Sequence, residues 1–548
     1  MKRYLDFLFP TLVVIIKLIV SIFSIPYDID SVYDEGFLML SVHDAIHGGI
    51  GGESLWANML VALLGERICY SMFSLRIVSE VFSVLSGLMF WLITFPKTTR
   101  NSLSSMAYLI LVLFLLSPIG GILINYNEIS RLFLLLVCAT SFRLFFGHDK
   151  RGGLWAMLIG FALTIAFFSI LPSSIMVGGA VCVMLVIRYW KHWQEVLKLF
   201  CMLMLGMAVA FMIVHFFVAD LKEVYASMLE TARMITKVDR GYDPISFCLK
   251  TLLFFRDISF YLLMSVGIIM VSLFLKRNGY SWMASLFFIV SFLLYWHYQE
   301  KPRMSLGMKM SVFWLLPLIV KWFDKQLPSL NQLFSFDFIY NLFLCIFPVL
   351  AVMGTNLPFG VKVGWFIVPW ALLAWRLGID EENRLFRREL LTAFSFVLLM
   401  GSIQQATSLD AKQTIVSQGS LKGMRLNASQ EKHFVEVEQI MEDYHYQRRK
   451  SVVFSTQLSM ATLCYLESVP CGLFFQPTDF VAHASDNLAK PDFLFLSDYD
   501  KYVADKLLKE MSWGWPEEFD EYNVGTPELK DTGYYTERWL YCRRSLKQ

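Results

Sequence analysis

The sequence has few charged residues for its length of 548. Only 17% are Asp, Glu, Lys or Arg, against about 25% in an ordinary soluble domain. Neither sign dominates, since 48 Lys and Arg stand against 46 Asp and Glu and leave a net charge of +2. This balance gives no support for a protein that binds nucleic acid, because such proteins normally carry a basic excess.

The sequence also lacks the common cysteine and glycine motifs. No two of its nine cysteines form a C-x-x-C pair, so neither a zinc site nor a thioredoxin-like centre has support. Cys464 and Cys471 would be able to pair in an oxidising compartment, which their spacing alone does not decide. The glycine-rich run at 48–52 has no Lys-Ser or Lys-Thr after it and is therefore no phosphate loop.

Apolar side chains are abundant. The chain is 56% hydrophobic and 16% aromatic, and its mean hydropathy is +0.52. One soluble core cannot bury that much apolar surface, so the bilayer must solvate much of it. The first apolar run follows Lys2 and Arg3 and has no small-residue cleavage site. We therefore expect a retained membrane helix there, not a cleaved signal peptide.

The apolar runs predict a polytopic α-helical membrane protein. About 20 apolar residues cross the hydrocarbon layer as a helix, and about 13 runs are candidates. They lie near 7–25, 72–95, 104–123, 129–147, 154–171, 174–189, 197–219, 257–275, 281–297, 310–323, 337–354, 361–376 and 389–407.

Positive charges predict the orientation in the membrane. Lys and Arg collect in alternate loops, beginning with Lys2 and Arg3, whereas the loops at 26–66, 119–128 and 355–360 contain none. Basic loops stay in the cytoplasm, which places the N-terminus there. An odd number of spans then places the C-terminal tail outside. This pattern suits a plasma (inner) membrane.

The composition changes near residue 411. Residues 1–410 form the predicted transmembrane domain, with long outer loops at 26–70 and 219–256. Residues 411–548 are predicted to form a small extracytoplasmic α/β domain. Its expected elements are a helix over 428–447, a strand at 452–454, a strand at 493–496, a helix around 499–511 and a strand at 539–542.

The most informative motif lies in the first outer loop. Asp28, Asp30, Asp34 and Glu35 fall within eight residues, directly after the first predicted span. If the apolar segment 37–40 begins a helix that lies on the membrane, Asp34 and Glu35 lie near the N-terminus of that helix, where negative charge is favoured. A carboxylate held there is a candidate general base. The alternative is that all four are solvated loop acids and helix caps.

Four stretches resemble the GT-C superfamily of membrane glycosyltransferases, which includes the protein O-mannosyltransferases and the lipid A aminoarabinose transferases. Asp34-Glu35 resembles the acidic motif of the first outer loop in that superfamily. Residues 74–79 resemble the Arg-x-x-Ser pattern that opens the second span, with Arg76 and Ser79 as the matching residues. Residues 125–128 are similar to a Tyr-Asn stretch in the next outer turn of many members. Residues 354–356, before a late span, resemble the superfamily more weakly.

The resemblance implies an inverting glycosyltransferase for cell-envelope glycan biosynthesis. Such an enzyme moves a hexose or pentose from a polyprenyl-phosphate carrier to a lipid, glycan or protein acceptor on the outer face. Asp34 would deprotonate the acceptor hydroxyl, with Glu35 in support. In the oligosaccharyltransferase branch the acidic residue instead helps to hold a metal. No second acidic cluster in the outer loops supports a divalent metal here, and no cofactor is expected.

The resemblance also implies cationic partners for the lipid phosphate, because negative charge develops on it as it leaves. Arg303 and Lys301, in the short outer segment 298–309, are the candidates, since Arg offers a bidentate fork and Lys a point charge. Interfacial snorkelling of both side chains is the alternative. The candidates for lining the cavity are Asn125, Tyr126, Glu128 and His43, and the alternative for His43 is simple exposure to water.

Two other function classes stay open. A multi-pass transporter or lipid-linked-sugar flippase would use the same apolar helices, although we find neither an inverted repeat nor a clearly charged helix at mid-membrane. A membrane scaffold whose C-terminal domain binds polysaccharide or a partner is the third class. The scaffold hypothesis predicts that Asp34→Asn leaves function intact.

Overall fold

The computed structural model describes most of the chain. The described residues are 2–27, 32–49, 55–95, 123–147, 151–226, 244–297, 335–353, 363–377, 384–409, 414–417, 419–455, 460–471, 489–497, 501, 505, 508–509, 511, 513–525 and 537–547.

Helices dominate the chain up to Ser408. They are α1 (Lys2–Ser24), α2 (Val32–Ile46), α3 (Trp56–Leu64), α4 (Glu66–Cys69), α5 (Met72–Thr94), α6 (Tyr126–Phe146), α7 (Gly152–Ser169), α8 (Leu171–Tyr189), α9 (Trp193–Phe217), α10 (Pro244–Arg277), α11 (Ser281–His297), α12 (Phe336–Ala351), α13 (Val368–Leu377) and α14 (Arg384–Ser408).

Among the described residues, five helices, α5 to α9, are long and apolar enough to cross a membrane. Shorter apolar helical stretches occur at Leu8–Ser24, Ser281–Leu294 and Phe336–Ala351. These helices confirm the polytopic helical architecture, while the number of about 13 spans stays a prediction. The candidate span at 310–323 lies outside the described residues, as does nearly all of the one at 104–123.

Two segments differ from their sequence-based prediction. The run at 361–376 is a 3-10 turn over Val363–Phe366 followed by α13, not one span. Pro369 near the start of α13 lacks the N–H that a continuous helix needs and clashes with the preceding turn, which explains the break. Helix α10 begins at Pro244, inside the segment 219–256 that was predicted as an outer loop.

Helices α7 and α9 pack at close range through glycine. A Cβ at Gly160 would overlap the carbonyl oxygen of Leu203, and a Cβ at Gly206 would overlap the carbonyl oxygen of Met157. Small residues allow helix backbones to approach closely, which is a common basis of helix association in membranes.

The C-terminal part folds into an α/β unit, as predicted. Its elements are β1 (Thr414–Ile415), β2 (Arg425–Leu426), α15 (Ala428–Glu442), β3 (Val452–Ser455), α16 (Met460–Leu466), β4 (Val469–Pro470), β5 (Phe493–Ser497), β6 (Phe519–Gly525) and β7 (Arg538–Arg543). Strands β3, β5 and β7 confirm three predicted strands. The predicted helix at 499–511 lies largely outside the described residues.

The main sheet has five strands in the order β4-β3-β5-β7-β6. Strand β3 pairs in parallel with both β4 and β5, and β7 pairs antiparallel with β5 and β6. The sequence analysis did not predict β6. This edge strand carries Asp520 and Glu521, and charged residues on an edge strand protect it from pairing with other chains.

The C-terminal unit shares a hydrophobic core with the segment 26–70, which was predicted as the first outer loop. We call this the outer core. It contains Leu38, Met39, Val42, Trp56, Leu60, Leu75, Ile124, Met424, Phe434, Leu463, Phe495 and Leu540, all of them buried. The change in composition at residue 411 is therefore not a boundary of packing. The unit lies at the end of the helical bundle where α1 ends and α5 begins, which we call the outer end.

Candidate active site

The acidic motif begins helix α2. Asp34 and Glu35 are the third and fourth residues of this helix, which starts at Val32. The first turn of a helix has backbone N–H groups without intrahelical partners and a partial positive charge. The backbone of both residues therefore belongs to the first turn of a helix. Asp28 and Asp30 lie outside the described residues.

Arg76 fixes the end of the first helix, from which the acidic motif follows. The Arg76 side chain is fully buried, and its Nη1 donates to the carbonyl oxygens of Ile25 at 2.8 Å and Tyr27 at 2.7 Å. Carbonyl groups at the C-terminal end of a helix lack intrahelical partners and favour a cation. The arginine of the Arg-x-x-Ser pattern therefore joins the start of α5 to the end of α1.

His43 lies at the opposite end of α2 from the acid pair. It follows Asp34 by nine positions, which is about 13 Å along a helix axis. Its ring stacks on Tyr70 with 4.8 Å between centroids, and Nε2 lies 3.3 Å from the Tyr70 carbonyl oxygen. Burial lowers the pKa of His43, although the contact with this carbonyl opposes the shift. The structure therefore does not bring His43 together with Asp34 and Glu35.

Asn125 and Glu128 form a capping box at the start of α6. The Asn125 N–H donates to Glu128 Oε2 at 3.0 Å, and Asn125 Oδ1 accepts from the Asn127 N–H at 2.7 Å. Both side chains are buried, and half-buried Tyr126 packs against the outer core. These contacts serve the start of the helix. The cavity-lining role of the three residues stays a prediction.

The two proposed phosphate ligands, Lys301 and Arg303, lie outside the described residues. Their role stays a prediction. Within the parts of the chain that the structure describes, no group of three His, Cys, Asp or Glu side chains is arranged to hold a metal ion.

Buried charged side chains below the acidic motif were missed by the sequence analysis. Glu80 interacts electrostatically with Lys17 and Arg131. Lys17 Nζ donates to Gln405 Oε1 at 3.1 Å, and Arg131 Nη2 donates to Ser83 Oγ at 2.6 Å. The three charged residues lie five to eight positions from the outer ends of α1, α5 and α6, which is roughly 7–12 Å. The available signal was the presence of one or two charged residues inside each of these three apolar runs.

Comparisons with known proteins give a distant likeness. No protein-family model matches the chain, and no curated protein matches it at a significant level. One similar solved structure is the Archaeoglobus fulgidus oligosaccharyltransferase in its apo form, with a TM-score of 0.45 and 11% identity over 90% of this chain and 70% of that one.

A second similar structure is the oligosaccharyltransferase AglB from Archaeoglobus fulgidus in complex with an inhibitory peptide and a dolichol-phosphate. Its TM-score is 0.41 and its identity 12%, over 92% of this chain and 69% of that one. Both solved structures are of oligosaccharyltransferases. At these values the likeness assigns neither an activity nor site residues to this chain.

Proposed function

We propose that the protein is an inverting membrane glycosyltransferase that moves a hexose or pentose from a polyprenyl-phosphate carrier to an acceptor on the outer face. One observation carries the proposal. Asp34 and Glu35 stand in the first turn of α2, a helix whose body is anchored in the outer core at the outer end of the bundle. The headgroup of a lipid-linked donor lies at that level, because its isoprenoid chain occupies the hydrocarbon layer.

In the proposed reaction Asp34 acts as the general base. It accepts the proton of the acceptor hydroxyl as the hydroxyl oxygen forms a bond to the anomeric carbon. The bond between that carbon and the phosphate oxygen breaks, and the lipid phosphate leaves with the electron pair. Attack opposite the leaving group inverts the anomeric centre. Glu35 supports the base, and Lys301 and Arg303 stabilise the charge on the departing phosphate.

Two measurements on one set of variants test this proposal. The first is a titration of the purified protein with a short polyprenyl-phosphate hexose, followed by native mass spectrometry. The second is transfer of labelled sugar from that donor to membrane acceptors. Asp34→Asn should keep donor binding and lose transfer by on the order of 10²- to 10⁴-fold, the usual contribution of a general base. Arg303→Ala should weaken donor binding.

Asp44→Asn is the matched control, because Asp44 lies on the same helix near its other end. It should leave transfer unchanged. The proposal is overturned if no carrier-linked sugar binds saturably, or if Asp34→Asn transfers sugar as fast as Asp44→Asn.

A second candidate function has one observation in its favour. Lys17, Glu80 and Arg131 form a charged group within the apolar helices, and such residues often mark a transport path. A flippase would move a fluorescent polyprenyl-phosphate hexose between the leaflets of proteoliposomes without covalent transfer. Its movement would then be lost in Glu80→Gln and kept in Asp34→Asn. The glycosyltransferase proposal predicts covalent transfer that depends on Asp34.

A further inference from the structure

We propose that the C-terminal domain, residues 411–548, positions the acidic motif by holding the chain on both sides of Asp34 and Glu35. The catalytic consequence rests on the proposed function. The contacts between the domain and the chain around the motif do not depend on the proposed function, because they can be tested without any substrate.

The first contact lies on the N-terminal side of the motif. The backbone N–H of Arg425 donates to the carbonyl oxygen of Pro26 at 2.7 Å. The Arg425 guanidinium lies 4.9 Å from the centre of the Tyr27 ring, which is within the range of an attractive cation–π contact. Strand β2 of the C-terminal domain therefore contacts the chain where it leaves α1. One of the residues contacted is Tyr27, whose carbonyl oxygen also accepts a hydrogen bond from Arg76 of α5.

The second contact lies on the C-terminal side of the motif, one residue after Glu35. The thiol of Cys464, on α16, lies 3.6 Å from the carbonyl oxygen of Gly36. Leu463 and Cys464 are buried in the outer core with Leu38 and Met39 of α2. Burial raises the pKa of the Cys464 thiol, so the group stays protonated and serves as a weak donor, not as a nucleophile.

A third contact joins the domain to the far end of α2. We call it the latch, formed by Arg449, Glu467 and Tyr70. The Tyr70 hydroxyl donates to Glu467 Oε1, and Arg449 Nη2 donates to Glu467 Oε1 at 3.1 Å and to the Tyr70 hydroxyl at 2.6 Å. Tyr70 in turn stacks on His43 of α2. The contacts therefore run from the C-terminal domain through Tyr70 to the helix that carries the acid pair.

Charge and backbone geometry both support the latch. Burial raises the pKa of Glu467, but hydrogen bonds from Arg449 and Tyr70 outweigh it and leave this pKa below its ordinary value. Glu467 is therefore ionised and paired. Arg449 and Glu467 also have positive φ angles of 62° and 56°. Residues other than glycine rarely adopt this conformation, and it persists where the surrounding structure holds it.

The latch can be tested with two adjacent arginines. Arg449→Gln removes the charge that bridges Glu467 and Tyr70. Arg448→Gln is the matched control, because Arg448 forms its ion pair with Glu438 inside the C-terminal domain, at 2.5 Å. Tyr70→Phe is a second variant that removes only the hydroxyl and keeps the stacked ring. Hydrogen exchange of the α2 amides, donor binding and transfer kinetics are measured for each protein.

Arg449→Gln and Tyr70→Phe should speed exchange across α2. They should also lower kcat by roughly 10- to 100-fold, the effect of misplacing a reacting group by about 1 Å. Donor affinity should stay unchanged, since the proposed role of the latch is to position the acid pair and not to bind the donor phosphate. Arg448→Gln should behave as the wild type, and Arg449→Lys should recover part of the loss.

The outcomes separate this proposal from the proposed function. Equal exchange and equal kcat in Arg449→Gln and Arg448→Gln would overturn the positioning role while wild-type transfer stands. Faster α2 exchange in Arg449→Gln, in a protein that transfers no sugar, would support the contacts between the domain and α2 and overturn only the proposed function. A loss of donor affinity equal to the loss of kcat would also overturn the positioning role, since it would indicate general unfolding.

Discussion

Arg76 Nη1 donates a hydrogen bond to the carbonyl oxygen of Tyr27 at 2.7 Å, across 49 positions of the sequence. Arg76 lies in the first turns of α5, and Tyr27 closes the described part of the chain after α1. The sequence pattern around Arg76 resembles a superfamily signature, and the structure shows a physical role for it. The buried guanidinium fixes the point from which the acidic motif starts.

Replacement of Arg76 tests this role. Arg76→Gln replaces the charged guanidinium with a shorter, neutral amide that cannot donate to both carbonyl oxygens. We therefore expect a loss of about 1–3 kcal/mol in the free energy of unfolding. Transfer should fall more steeply than donor binding, because the position of Asp34 is affected. Thermal unfolding in detergent and the transfer assay measure the two effects. Arg67→Gln, a change of an exposed residue on α4, should alter neither.

The buried charges of the bundle predict a large stability effect. Glu80→Gln removes the acidic group that faces Lys17 and Arg131. Loss of this acid should cost about 1–3 kcal/mol, because the two buried cations then have less compensation for their charge. Chemical unfolding in detergent measures this loss. Glu66→Gln, at an exposed position, is the control, and an equally small effect of both variants would contradict the prediction.

The close packing of α7 and α9 predicts a difference between glycines. Gly160→Ala and Gly206→Ala place a methyl group against a backbone carbonyl of the other helix, and such overpacking costs about 1–3 kcal/mol or more. Gly179→Ala on α8 meets no atom within 4 Å and should be neutral or stabilising, since alanine favours a helix. The unfolding midpoints of the three variants are compared. Equal midpoints would contradict the prediction, because they would show that α7 and α9 accommodate the added methyl group without a loss of stability.

His433 predicts a pH dependence of stability. Burial lowers its pKa to about 4, although Nδ1 donates to the Val524 carbonyl oxygen at 3.1 Å and opposes the shift; Arg538 lowers it further. The unfolded chain binds a proton below about pH 6.5, whereas the folded protein does so only near pH 4. Stability therefore falls as the pH drops through this window, by about 3 kcal/mol in all.

Unfolding midpoints between pH 7 and pH 4.5 measure this effect. His433→Gln keeps a side-chain donor and has no group that titrates in the window, so its midpoint should vary less with pH than that of the wild type. An identical pH dependence in both proteins would assign the effect to other groups.

Local features of this chain could be predicted from the sequence. A helix near the apolar segment 37–40 was considered as a condition for the role of Asp34 and Glu35, and α2 contains that segment. Strands β3, β5 and β7 were evident from short apolar runs. Strand β6 was not predicted, because its charged residues are typical of a loop. The cation–acid group around Glu80 was also missed, because its three members stand in three separate apolar runs.

The sequence by itself determined that the chain needs a bilayer and that helices cross this bilayer. It also determined that an acid pair follows the first helix. These properties depend on the composition and periodicity of neighbouring residues, which any stretch of the chain displays on its own. Only the tertiary structure decided that Arg425 meets Pro26 and that Cys464 meets Gly36. Such contacts join residues about 400 positions apart, and the burial of one common core brings them together, which no local pattern encodes.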